Sequence, residues 1–141
     1  MSKSKVIIGD IVLKSSNIEF RLKFYTKMTL IGGNSCSGKT MMYNAFRDLR
    51  AIRNDVVCLD YANEGDSILE LVRKSRNKVI VVDNADVVLN NNIKFEMACN
   101  TKNQFILFGR DTFGLCLGTR QYAELIIRDR VGVLYYPFKR G

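Results

Sequence analysis

The sequence predicts an α/β protein in which helices cover both faces of a mostly parallel sheet. Strand-like and helix-like patterns alternate along the central part of the 141-residue chain, an order typical of parallel strands joined by crossover helices. Two of the strands, Val79–Val82 and residues 105–108, are wholly apolar, as expected for strands covered on both faces. The length suits one domain with its own core, and we expect a single domain over residues 1–141.

A β-hairpin is predicted first, within residues 1–27. Residues 6–13 predict one strand, and residues 18–25 predict a second, because apolar and polar side chains alternate there. Ser15-Ser16-Asn17 favours a turn between them. We expect the polar face of this hairpin in water and its apolar face on the main sheet.

A core of alternating strands and helices is predicted over residues 28–110. In chain order, its expected elements are strand 28–31, helix 41–52, strand 55–61, helix 67–75, strand 78–83, helix 93–100 and strand 104–109. Ser67 and Glu70 have the spacing of a capping box, which predicts the start of the second helix. Residues 111–141 complete the chain with two strands, at 122–128 and 131–136, or with a short helix followed by a strand.

Residues 33–40 carry the pattern G-x-x-x-x-G-K-[ST] between a predicted strand and a predicted helix. This is the setting in which the pattern forms a phosphate-binding loop, because the glycines let backbone N–H groups turn toward phosphate oxygens. The following helix adds the positive end of its dipole. Lys39 is expected to reach the terminal phosphates, and the Thr40 hydroxyl to bind Mg²⁺. The predicted phosphate-binding residues are Gly33, Asn34, Ser35, Cys36, Ser37, Gly38, Lys39, Thr40 and Met41.

Asp83 directly follows the apolar strand Val79–Val82, so its carboxylate is expected at the edge of the sheet where ligands bind in open α/β folds. With residues 33–40, this strand makes the chain resemble the P-loop NTPases. The resemblance is to the branch with an additional strand between the Walker A and Walker B strands, which includes AAA-type and ABC-type ATPases. It covers about residues 28–110 and implies a three-layer P-loop NTPase fold that binds ATP, with Mg²⁺ held by Thr40 and Asp83.

The chain departs from that branch directly after Asp83. Members usually carry a glutamate there to orient the attacking water, whereas this chain has Asn84, and Asp86 is the expected substitute base. The polar sensor that members place after the next strand corresponds to Arg110 or Asp111. The resemblance therefore implies a slow, Mg²⁺-dependent ATPase that acts as a nucleotide-dependent switch. Its expected catalytic residues are Lys39, Asn84, Asp86 and Arg110.

Two alternative functions fit parts of the sequence. Residues 33–40 also resemble the phosphate loop of uridine-kinase-like enzymes, and Asp60 corresponds to their acceptor-activating acid, so a small-molecule kinase is one alternative. Arg47, Arg50 and Arg53 recur at three-residue spacing along the first helix and would suit a phosphate backbone. The other alternative is therefore a nucleic-acid-binding module with a vestigial nucleotide site.

The amino-acid composition limits the catalytic chemistry and the binding partners that we expect for this chain. Residues 1–53 hold most of the net charge of +8, so a nucleic acid or an acidic protein is expected to bind this basic N-terminal third. The chain has no histidine, so a general base must be a carboxylate or an oriented water. Its four scattered cysteines argue against zinc or disulfide chemistry.

The chain is expected to be cytosolic and to have no membrane span. No apolar run approaches ~20 residues, and no signal peptide pattern is evident. An oligomer is compatible with the sequence. In an oligomer, an arginine finger would be supplied across the interface, and its candidates are Arg120, Arg128 and Arg130.

Overall fold

The computed structural model describes residues 6–15, 17–32, 38–60, 65–109 and 121–137. Within these ranges, eight strands form one sheet and four short helices pack against it. The strands are β1 (Asp10–Ser15), β2 (Ile18–Lys23), β3 (Met28–Gly32), β4 (Val56–Leu59), β5 (Val79–Val82), β6 (Gln104–Phe108), β7 (Tyr122–Arg128) and β8 (Val131–Tyr135). The helices are α1 (Lys39–Leu49), α2 (Gly65–Lys74), α3 (Ala85–Val88) and α4 (Asn91–Cys99).

The strands lie in the order β1-β2-β8-β7-β3-β6-β5-β4. From β4 to β7 each strand is parallel to its neighbour, and β2 is parallel to β8. Antiparallel pairs join β1 to β2 and β7 to β8. The sheet is therefore mixed, and the C-terminal ends of β3, β4, β5 and β6 lie at one edge.

This mixed, curled sheet shows that the predicted fold class is wrong. The sequence predicts a mostly parallel, three-layer P-loop NTPase fold with a separate hairpin packed on it. Instead, β8 turns back along β7 and pairs with β2, which makes the N-terminal hairpin the edge of the same sheet. The turn between β7 and β8 has positive φ at Asp129 (51°) and Arg130 (65°), the type I′ geometry that matches the twist of a hairpin.

The curl of the sheet places α1 between the central strands and the hairpin. Phe20 and Leu22 of β2 belong to the same buried core as Met42 and Phe46 of α1, together with Val81 of β5. The opposite face of the central strands forms a second core with α2, α3 and α4. The apolar face of the hairpin therefore covers α1, and the prediction that it rests on the main sheet is wrong.

Most of the local elements lie close to where the sequence predicts them. The two possibilities for residues 122–136 are decided in favour of two strands. The short helix α3 is not predicted, and the predicted capping box is wrong because α2 begins at Gly65, ahead of Ser67. Glu70 instead pairs with Lys74, one helical turn further on, at 2.6 Å.

None of the four helices that the structure describes is both long enough and apolar enough to cross a membrane.

Candidate functional site

The candidate site lies at the edge of the sheet where the central parallel strands end. Asp60, Asp83 and Gly109 directly follow β4, β5 and β6, and α1 begins near them with Lys39. Leu59 is in register with Val82, so Asp60 and Asp83 come side by side. Side chains alternate between the faces of a strand, and both carboxylates therefore belong to the face that α1 covers.

Lys39 supplies a buried cation at this edge. The residue is only 9% exposed, and its Nζ donates to the Gly109 carbonyl oxygen at 3.2 Å. The Gly109 N–H donates in turn to the carbonyl oxygen of Ile31 at 3.1 Å, which fixes the end of β6 against β3. The ammonium is thereby held beside the end of β3, the strand that leads into the predicted phosphate loop.

Gly38, which precedes α1, has a backbone that favours glycine. Its φ is 90° and its ψ is 11°, a conformation that residues with a Cβ rarely adopt. A Cβ at this position would also lie 2.5 Å from Cδ1 of Ile127 on β7. No sequence signal indicates Ile127, because the contact exists only once β7 lies beside the start of α1.

The remaining predicted phosphate-binding residues are only partly within the described structure. Thr40 is exposed in the first turn of α1, and Met41 is half-buried. Gly33, Asn34, Ser35, Cys36 and Ser37 lie outside the described residues, as do the predicted sensor Arg110 and its alternative Asp111.

Asp83 has unusual electrostatics for a carboxylate. Burial raises its pKa above the ordinary value, the Asn84 N–H that donates to Oδ1 at 3.0 Å lowers it, neighbouring Asp60 raises it and the Lys39 ammonium lowers it. The net result is a raised pKa, so the ionised form is less stable here than in water. A cation bound at the carboxylate would relieve this cost.

The residues present fit a magnesium ion by their chemistry. Carboxylate and hydroxyl oxygens are ligands that Mg²⁺ accepts, and proteins commonly supply one or two of them while substrate phosphates and water supply the rest. Asp83 and Thr40 would be such a pair. In the described part of the chain, no cluster of three or more His, Cys, Asp or Glu side chains forms a site built by the protein alone.

Asn84 and Asp86 are positioned by α3. Asn84 has a left-handed backbone, with φ 52°, and its carbonyl accepts from Val88 N at 2.9 Å. The helical turn carries Asp86 against Gly109, where an added Cβ would lie 2.9 Å from the Asp86 Oδ1. Gly109 therefore contacts two predicted site residues, since Lys39 binds its carbonyl and Asp86 packs on its Cα. Sequence reasoning missed this role of Gly109.

Tyr43 is a second residue that the sequence reasoning missed. It is buried one turn after Lys39, and its hydroxyl donates to the Leu59 carbonyl oxygen at 3.0 Å. Burial raises the pKa of Tyr43 far above its ordinary value, and nearby Cys58, Asp60 and Asp83 add to this effect. The neutral phenol therefore ties α1 to the end of β4, directly before Asp60. The sequence signal for this role was the spacing of four residues between Lys39 and Tyr43, which places both side chains on one face of the helix.

The arginines that the sequence singles out do not act as one group. Arg53 lies beyond the end of α1 and pairs with Asp55 through hydrogen bonds of 3.0 and 2.6 Å. Arg47 and Arg50 are exposed. Among the arginine-finger candidates, Arg128 lies on the face of β7 opposite Ile127 and Arg130 is in the exposed turn. Arg120 is outside the described residues.

Comparisons with known proteins add no relative to this picture. No protein-family model matches the chain, and a search of curated proteins finds no match. The function is therefore argued from the arrangement of the site residues.

Proposed function

We propose that this chain binds ATP with Mg²⁺, hydrolyses it slowly and acts as a nucleotide-dependent switch. The observation that carries the proposal is the Lys39 ammonium, buried at the first residue of α1 and directly preceded by a glycine in a left-handed conformation. The ammonium and the N-terminus of α1 both favour an anion at the same place. The resemblance of residues 33–40 and 79–83 to P-loop NTPases is part of the proposal.

Thr40 and Asp83 are the residues that would hold Mg²⁺. When bound, the ion would neutralise the charge that develops on the transferred phosphoryl group. The raised pKa of Asp83, which burial causes first, supports this role. A carboxylate whose folded-state pKa is raised costs stability when it ionises, and such a cost is commonly retained where function needs it.

Asp86 is the proposed general base, since the chain has no histidine and carries Asn84 directly after Asp83. Its carboxylate lies against Gly109, whose carbonyl binds Lys39, so it is near the phosphate-binding end of α1. Asn84 would orient the attacking water without accepting its proton, which is consistent with slow turnover. Arg110 remains a predicted sensor.

The contact between Lys39 and Gly109 supports the switch. Phosphate oxygens are anionic, so they attract the Lys39 ammonium more strongly than a neutral carbonyl oxygen does. A bound triphosphate would therefore compete for the ammonium that Gly109 now accepts from. Nucleotide binding would change the contacts of the chain at the end of β6, and a protein or nucleic-acid partner would read that change.

The decisive experiment is calorimetry with ATP, GTP and ADP, with and without Mg²⁺, followed by a phosphate-release assay. Lys39→Ala should raise the Kd for Mg-ATP at least ~100-fold, because a hydrogen bond to a charged group contributes about 1.5–3 kcal/mol and Lys39 would make about two. Lys74→Ala, which removes an exposed lysine of α2 paired with Glu70, is the matched control and should bind normally. A folded wild-type chain that ignores every nucleotide at millimolar concentration would refute the proposal.

A small-molecule kinase is the second candidate, favoured by the position of Asp60. This carboxylate follows β4 beside Asp83 and raises the pKa of that residue, an effect smaller than that of burial. It would accept the proton of an acceptor hydroxyl as the phosphoryl group is transferred. Phosphate transfer to a panel of nucleosides, lost in Asp60→Asn while ATP binding persists, would favour the kinase over the switch.

A further inference from the structure

Strand β4 is an edge strand of the sheet, and a different helix covers each of its faces. Val56 and Cys58 pack into the core that contains α1. Leu59 and Val57 pack into the core that contains Ile68 and Val72 of α2. The two helices therefore flank this edge of the sheet, one on each face, and we treat the residues they expose beside β4 as the two sides of one surface.

The α1 side of this surface is basic. Arg47 and Arg50 are exposed and line a shallow pocket of about 320 Å³ together with Asn44 and Asp48. Both guanidinium groups are close enough to Cys58 of β4 to lower the pKa of its thiol, although burial dominates and raises that pKa to about 11. Both arginines are therefore near Cys58, on the side of β4 that α1 covers.

The α2 side is basic as well. A groove of about 460 Å³ runs along the end of α2 to the start of β5, and it is lined by Ser67, Glu70, Leu71, Lys74, Ser75, Arg76 and Lys78. Lys78 is near enough to Asp55, beside the start of β4, to lower the pKa of that carboxyl, though less than the hydrogen bond from Arg53 does.

The cations that line the pocket and the groove outnumber the carboxylates there, with Asp48 and Glu70 against Arg47, Arg50, Lys74, Arg76 and Lys78. Arg47, Arg50, Arg76 and Lys78 form no ion pair with any described residue, and we call these four the β4 basic surface. Neighbouring cations are paired instead, since Arg53 contacts Asp55 and Lys74 contacts Glu70, each at 2.6 Å.

We propose that the β4 basic surface binds the sugar–phosphate backbone of a nucleic-acid duplex without reading its bases. Three of the four cations are arginines, whose planar fork matches phosphate oxygens, and the pocket and groove add amide and hydroxyl groups that donate to phosphates. No aromatic residue is among those that line them, which disfavours a stacked single strand. One apolar residue, Leu71, is among them, too little for the apolar centre of a protein interface.

The β4 basic surface would make a nucleic acid the partner of the proposed switch. Binding of the duplex would not require bound nucleotide. Arg47 follows Lys39 by eight residues, which corresponds to about 12 Å along α1. Lys39→Ala should therefore leave duplex binding intact while it removes ATP binding. The two proposals can fail separately.

The test is fluorescence anisotropy of the full chain with a labelled 20-base-pair DNA duplex at 50 and 150 mM KCl. Four phosphate contacts predict a slope of log K against log[salt] of about −3.6, so the affinity should fall about 50-fold over this threefold range of salt. Arg47→Gln/Arg50→Gln and Arg76→Gln/Lys78→Gln should each reduce the slope to about −1.8. Lys14→Gln/Lys23→Gln removes the same charge from exposed positions of β1 and β2 and should leave the slope unchanged.

Several outcomes would overturn the proposal. These are no duplex binding at 50 mM KCl, an equal loss of binding in the control pair, or a poly-glutamate peptide that binds more tightly than the duplex. Circular dichroism shows whether each variant is folded. If a variant does not fold, the wild-type measurement still decides, because a slope shallower than about −2 would mean too few phosphate contacts for the four cations.

Discussion

Substitution of Gly38 by alanine tests the geometry at the start of α1. Two independent features of the structure oppose a Cβ at this position. The backbone has φ 90°, outside the range that residues with a Cβ normally adopt, and the new Cβ would lie 2.5 Å from Cδ1 of Ile127. The other side-chain atoms nearest to that Cβ are at 3.7 and 3.8 Å, which is ordinary contact.

The cost of Gly38→Ala is the sum of these two effects. The left-handed backbone costs alanine about 1–2 kcal/mol. Ile127 ends in a movable methyl group, so relief of its clash requires a rotamer distortion of about 0.5–1.5 kcal/mol. The free energy of unfolding should therefore fall by roughly 1.5–3.5 kcal/mol, and nucleotide affinity should fall as well, because Gly38 directly precedes Lys39, the proposed phosphate-binding residue.

Ile127→Val separates the two effects because it removes only the Cδ1 atom that clashes. Alone it should cost about 0.5–1.5 kcal/mol. In the double variant the clash is absent, and the costs that remain are those of the backbone and of the removed methyl group, so the two changes should be less than additive by about 0.5–1.5 kcal/mol. Urea unfolding of the four proteins of this cycle measures that difference. Strict additivity would mean that β7 does not pack on Gly38, and a stabilised Gly38→Ala would exclude the left-handed backbone.

Three further variants test the site and the core. At neutral pH and without nucleotide, Asp83→Asn should unfold at a higher urea concentration than the wild type. Burial raises the folded-state pKa of Asp83, so the wild type loses stability as the pH rises above the unfolded-state pKa. The variant has no carboxylate at this position and does not lose this stability. An equal difference at every pH between 3 and 7 would contradict this. Asp86→Asn should lower phosphate release about 100-fold or more with little change in ATP affinity by calorimetry, and unchanged release would remove Asp86 as the base. Gln104→Met should lower the free energy of unfolding by about 2–4 kcal/mol, because the Gln104 amide makes three hydrogen bonds to the backbone of residues 7–8. The control is Lys102→Ala at an exposed position, which should change the free energy of unfolding by less than ~0.5 kcal/mol.

The strands and helices could be predicted because their signals are local. The wholly apolar run Val79–Val82 is buried along its length, and the alternation in residues 18–23 gives β2. The arrangement of the strands depends on distant pairs. Glu19 lies opposite Val131, and nothing in either segment states that a strand near the C-terminus will accept the N-terminal hairpin as its neighbour. The mixed character of the sheet follows from the antiparallel pairs β1–β2 and β7–β8, and the β2–β8 pairing joins the N-terminal hairpin to the central strands.

The residue types of the candidate site could be predicted from the sequence more easily than the contacts that they make. The motif around Lys39 and the carboxylate after β5 are visible in the sequence, and parallel strands bring them to one edge. The spacing of three arginines was misleading, however, because α1 ends at Leu49 and Arg53 turns to Asp55. Contacts such as Gly38 with Ile127 arise from packing between distant elements, and sequence periodicity carries no information about them.

Gly109 links the two parts of the proposed ATPase activity, which are phosphate binding and water activation. Its carbonyl accepts from Lys39, and its Cα faces the Asp86 carboxylate, so the residue that would bind phosphate and the residue that would activate water contact the same peptide. The hydrogen bond that Lys39 would give up to a triphosphate has a charged donor and is worth about 1.5–3 kcal/mol, and bonds from the same ammonium to anionic phosphate oxygens would replace it. Nucleotide binding would therefore remove the Lys39 contact of the Gly109 carbonyl while the Gly109 N–H stays bound to Ile31, and Asp86, the proposed base, lies against the same residue.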